Sequence, residues 1–131
     1  MTVFVDTSAL FALCDPGDRE SESARRYADE SFPARDHVTH RYVEVETVSL
    51  VQARLGMAVV RALVEDILPA IRVDAVDGDV HDAALGDLLA SGSRTVSFVD
   101  RVSFELMRRG RIDTAFAYDR DFARAGFDTV P

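Results

Sequence analysis

Five short strand-like segments, at residues 2–5, 37–39, 71–73, 114–118 and 127–130, recur along the chain with helix-like segments between them. The first, TVFV, is β-branched or aromatic at every position, which suits a buried strand and is too short for a helix. It stops on Asp6, and Thr7, Ser8 and Ala9 open a helical stretch. Strands that apolar have both faces covered, and their alternation with helices predicts an α/β architecture around a parallel sheet.

The intervening segments carry clear punctuation. Asp15-Pro16-Gly17-Asp18 reads as a turn, and a helix over 19–32 closes at Pro33. Helices follow over 41–55 and 57–68, divided by Gly56 and ended by Pro69. Further helices are predicted over 79–90, over 97–109 up to Gly110, and as a short turn over 120–125. No repeat, low-complexity tract or linker interrupts the 131 residues, so 1–131 reads as one domain. Hydrophobic residues make up 47%, enough for one real core. No run approaches the roughly 20 apolar residues of a membrane span, and no signal peptide is legible, so the expectation is a cytoplasmic protein. Cys14 is the only cysteine, which excludes an intrachain disulfide and leaves it as a small core residue.

Charge narrows the chemistry. There are 23 acids, 16 of them aspartate, against 15 basic residues that are all arginine, for a net charge of −8. Such an aspartate-rich, lysine-free composition is expected of a salt-loving organism, a halophilic archaeon for instance. The absence of lysine removes Walker A, Schiff-base and lysine-base chemistry. Residues 1–93 carry net −9 and residues 94–131 net +1, so the last segment can present a locally basic surface to a polyanion.

In open parallel sheets the functional crevice lies beyond the carboxyl ends of the strands. Asp6 follows the first strand and Asp119 the TAFAY strand, while Asp100 stands near the start of the 97–109 helix. Each acid alone also has a structural reading as a helix cap or first-turn charge. On the 41–55 helix, Glu46 shares an apolar stripe with Val43 and Leu50. Glu44 shares another with Val48 and Val51, and periodicity does not choose between them. Four carboxylates without paired histidine or cysteine ligands suit Mg²⁺ or Mn²⁺. Such ions acidify water and neutralise charge on phosphoryl oxygens, the requirement of phosphodiester hydrolysis. His37, His40 and His81 lack ligand spacing and are expected at the surface or behind the site.

The motifs together resemble the PIN-domain nucleases. VFVDTSAL at 3–10 is similar to their opening motif, and YVEVETVSLVQARLG at 42–56 to their second acidic helix, with Glu46 at the position of the glutamate. SFVDRVSFELMRRGRIDTAFAYDRDFARAGF at 97–127 resembles the third and fourth motifs and places Asp100 and Asp119. The resemblance implies a PIN-like, Rossmann-like three-layer sandwich with a parallel sheet of four to five strands. It implies a Mg²⁺- or Mn²⁺-dependent ribonuclease, with Asp6, Glu46, Asp100 and Asp119 holding the ions and Asp121 a secondary ligand. Thr7 and Ser8 would support the site or cap the following helix, capping being the role expected of Ser8. Small members of the family are commonly VapC-like toxins of type II toxin–antitoxin pairs, so a VapB-like antitoxin and a homodimer are implied as partners.

Arg101, Arg108, Arg109 and Arg120 are the candidates for phosphate contact, by guanidinium geometry, against a role in surface ion pairs. Phosphatase and receiver folds also place an aspartate after the first strand, but they rely on a lysine that this chain lacks. A catalytically silent PIN-like module for RNA or protein binding is the remaining alternative, and the intact set of acids argues against it.

Overall fold

A computed structural model describes all residues, 1–131. Five strands form one parallel sheet in the order β3-β2-β1-β4-β5. They are β1 (Thr2–Val5), β2 (Asp36–His40), β3 (Arg72–Asp74), β4 (Thr114–Phe116) and β5 (Asp128–Val130). Seven helices flank it: α1 (Thr7–Cys14), α2 (Ser21–Ser31), α3 (Arg41–Leu55), α4 (Met57–Ala62), α5 (Gly78–Ser91), α6 (Phe98–Arg109) and α7 (Arg120–Arg124).

β1 is central because it is the most apolar strand. Val3, Phe4 and Val5 are fully buried, and they pair with β2 on one side and β4 on the other. The register sets Phe4 against Val38 and Ala115. Phe4 stacks on Phe122 with ring centroids 6.0 Å apart, and Leu10, Leu63, Met107 and Phe116 complete the core around it. Replacing a ring in that position by alanine costs about 3–5 kcal/mol. Cys14 belongs to the same core, and burial pushes its thiol up to about 11.

The helix expected over 57–68 is shorter than its pattern. α4 ends at Ala62, a π-helical turn covers Leu63–Ile67, and a 3₁₀ turn holds Leu68–Ala70. Pro69 has no N–H to donate and its ring crowds the preceding turn, so the ladder loosens before it. The Leu68 N–H bonds the Leu63 carbonyl instead. Gly56 joins α3 to α4 at φ 89°, a conformation that a side chain would strain. The expected strand over 114–118 also closes early, at Phe116, because the Tyr118 N–H leaves the ladder for a side chain of α1.

This strand order reverses direction between β1 and β4, and their carboxyl ends open a crevice at that switch point. No helix is long and apolar enough to cross a membrane.

Candidate active site

The crevice begins where β1 ends. Asp6 is in extended conformation and its Oδ2 accepts the Ser8 N–H at 3.1 Å, so Asp6 itself is the cap of α1. Ser8, expected as the cap, does different work. Its hydroxyl donates to Asp6 Oδ2 at 2.7 Å and accepts the Tyr118 N–H at 2.9 Å. It ties the end of β1 to the end of β4. Thr7 is buried, with its hydroxyl 3.4 Å from that of Thr47 on α3.

Asp119 follows β4 and caps α7, accepting the Asp121 N–H at 2.9 Å. Asp100 occupies the first turn of α6, whose cap Ser97 accepts the Asp100 N–H at 3.0 Å. Carboxylate oxygens of Asp100, Asp119 and Asp121 all lie within 4.8 Å of one another. Asp121 therefore stands inside the tight cluster, and its one ion pair, to Arg124 at 3.5 Å, leads away to an exposed arginine.

Electrostatics bind the remaining acids to that cluster. Burial raises Asp100 to about 7, reinforced by the negative charges of Asp6, Asp119 and Glu46. Burial likewise raises Asp6 to about 6 against the lowering effect of the Ser8 hydrogen bonds, and Asp119 adds repulsion. Asp6, Glu46, Asp100 and Asp119 form no ion pair, so nothing in the chain neutralises them. Buried like charges without a counter-charge are costly. An oxygen-only set lacking a basic partner fits a hard divalent cation, and Asp6, Glu46, Asp100, Asp119 and Asp121 are the side chains available to hold it.

Glu46 and Glu44 separate clearly. Glu44 is paired with Arg41 at 2.9 Å on the helix surface, whereas Glu46 has no partner and acts on Asp100.

The histidines are interior groups. His40, fully buried, caps α3 through Nδ1, which accepts the N–H groups of Tyr42 and Val43 at 3.1 and 3.3 Å. Its Nε2 then carries the proton and donates to Ser103 Oγ at 2.9 Å, joining α3 to α6 behind the acids. Burial lowers this imidazole to about 4. His37 is buried too, bonded to Tyr27 Oη at 2.9 Å, and His81 meets Tyr42 Oη at 2.7 Å. Of the two places expected, surface or behind the site, His40 takes the second, and neither it nor His37 is at the surface because each finds the hydrogen-bond partners that burial demands.

The four arginines disperse. Arg101 turns toward α5, donating to Ser91 Oγ at 2.8 Å. Arg108 stands 5.9 Å from the Phe127 ring centroid and Arg109 pairs with Glu105 at 2.8 Å. Both lie about 12 Å along α6 from Asp100, by the rise per residue of a helix. Arg120 is exposed beside Asp119 and unpaired. Two arginines that sequence reasoning passed over, Arg19 and Arg54, border a groove that also takes in Thr7 and Ser8. Only the fold brings them to residue 8.

Residues 3–128 match the family model described as the PIN domain. The chain belongs to the PIN-domain family. This PIN domain is 36% identical over 129 residues to the 23S rRNA-specific endonuclease VapC20 of Mycobacterium tuberculosis, covering 98% of this chain and 97% of that protein. It superposes on the crystal structure of that VapC20, a sarcin–ricin loop cleaving toxin, with a TM-score of 0.86 at 35% identity over 95% of each chain. VapBC2 from Rickettsia felis shares the PIN fold at a TM-score of 0.74 and 10% identity, with 98% and 97% of the chains covered.

Proposed function

We propose that this PIN domain is a Mg²⁺- or Mn²⁺-dependent endoribonuclease and the toxin of a VapBC-type pair. The observation that best supports the proposal is the cluster of Asp100, Asp119 and Asp121, whose carboxylate oxygens lie within 4.8 Å of one another, with the charges of Asp6 and Glu46 acting on Asp100. The 36% identity to a 23S rRNA-specific endonuclease supports it and makes large-subunit ribosomal RNA, in its sarcin–ricin loop, the first substrate to test. A VapB-like antitoxin is the neutralising partner, a homodimer the assembly, and the cytoplasm the compartment.

The bound ion would stabilise the charge that gathers on the phosphoryl oxygens and acidify the attacking water. The chain supplies the geometry. Asp100, Asp119 and Asp121 would hold the ion together with Asp6 and Glu46, and Ser8 fixes the Asp6 carboxylate against the end of β4. In the reaction a water oxygen bonds to phosphorus and the bond to the 3′ oxygen breaks. That oxygen leaves with a proton as a hydroxyl, and the downstream fragment keeps a 5′-phosphate.

Purified protein should cleave a sarcin–ricin stem-loop RNA in Mg²⁺ or Mn²⁺ and release 5′-phosphate ends. Cleavage that persists in EDTA, or in Asp6→Ala, overturns the proposal. The charge of −8 without lysine further supports a salt-rich setting, in which counterions relieve self-repulsion. Thermal stability that fails to rise with NaCl would count against that setting.

A further inference from the structure

A groove of about 410 Å³ lies on the α1 side and is lined by Thr7 and Ser8, the latter bonded through its hydroxyl to Asp6 of the crevice. Its walls carry Phe11, Leu50, Arg54 and Tyr118. Phe11 is half-buried one helical turn beyond Thr7, and the Arg54 guanidinium lies 5.8 Å from its ring centroid. The other charges here are committed locally. Asp18 accepts the Glu20 N–H at 2.8 Å, and Glu20 pairs with Arg19 at 3.5 Å. The Tyr118 hydroxyl is bonded to Ser23 at 2.8 Å. Arg54 is exposed and forms no ion pair, so its guanidinium, resting on the Phe11 ring, has no carboxylate partner.

We propose that this groove seats the RNA nucleotide next to the cleaved phosphate, with Arg54 on its phosphate and Phe11 under its base. The proposal rests on the nuclease reading above and extends it to substrate positioning. An acidic centre repels flanking phosphates, so the strand needs a cation outside the metal site, and guanidinium geometry suits a phosphate. With Arg54 turned from the ring to a phosphate, the half-buried Phe11 offers a face on which an unpaired base can stack. The span from Thr7 to Phe11, one helical turn of about 5.4 Å, puts that platform beside the reacting phosphate.

The test separates binding from cleavage. Fluorescence anisotropy with a labelled sarcin–ricin stem-loop RNA is measured in an Asp6→Asn/Asp100→Asn background, which is silent in cleavage and less repulsive. Adding Arg54→Gln should weaken Kd about tenfold and lower the slope of log K against log salt by about 0.7. Phe11→Leu, which keeps the apolar contact, should weaken Kd about tenfold with the slope unchanged. Arg61→Gln, on the distant Arg61–Glu65 pair, should change neither. The proposal falls if Arg54→Gln leaves Kd unchanged, if Arg61→Gln matches it, or if no RNA binding is measurable. Wild-type protein that binds this RNA through Arg54 yet never cuts it counts against the nuclease reading alone.

Discussion

The Ser8 hydroxyl accepts the Tyr118 backbone N–H at 2.9 Å across 110 residues of chain while donating to Asp6 at 2.7 Å. One small side chain thus sets the spacing between the two strand ends that carry Asp6 and Asp119. Ser8→Ala should cost about 1–3 kcal/mol of stability, since it strips a part-buried carboxylate and a backbone N–H of their partner. RNA cleavage should fall about 10- to 100-fold as the acids lose register. Ser8→Thr, which keeps a hydroxyl, should retain most of both. Denaturant titration and single-turnover cleavage check the pair.

Glu44 and Glu46 make a clean contrast on one helix. Glu46→Gln should abolish detectable cleavage, whereas Glu44→Gln loses only an exposed pair with Arg41, worth at most about 0.5 kcal/mol. Equal loss of activity in both would show that α3 does not deliver Glu46 to the reaction.

Asp100 ties stability to pH. Its carboxyl is raised from 3.8 to about 7, so between those values the folded chain binds more protons than the unfolded one. Its contribution therefore falls as pH rises through that window. Asp100→Asn should match wild type near pH 4 and exceed it by on the order of 2 kcal/mol at pH 8, without metal. Mn²⁺ should stabilise wild type and erase that advantage. Urea unfolding at the two pH values, with and without Mn²⁺, tests it.

His40 has the opposite sign. Held near 4 against an ordinary 6.5, it binds fewer protons folded than unfolded, and its contribution is lost as pH falls from 6.5 toward 4. His40→Asn keeps a capping group but gives up the Ser103 bond, costing about 1–3 kcal/mol at pH 7.5. The deficit should shrink at pH 5. A deficit that is constant with pH would mean the imidazole titrates normally.

Much of this was legible in the residues. TVFV ending on Asp6, and TAFAY before Asp119, mark strand ends by composition alone, and order along the chain then puts both acids on one edge. What escaped depends on contacts distant in sequence. Periodicity treats Glu44 and Glu46 alike, so the resemblance alone selected Glu46, and the physical reason, the Arg41 pair that occupies Glu44, appears only in the fold. The early end of β4 has no local signal, because its cause is a serine 110 residues away. For His40 the residues left open a place at the surface or behind the site, because its partner, Ser103, lies 63 residues downstream.

The position of β1 bears on synthesis. Of the five strands the one made first, β1, lies at the middle of the sheet, and one of its neighbours, β4, is made fourth. Asp6 thus waits for Asp100 and Asp119 while the segments between them are made, and pairing across so long a loop is slow. A growing chain carries the first acid of the centre without the centre, which closes only once the segment with Asp119 has been built.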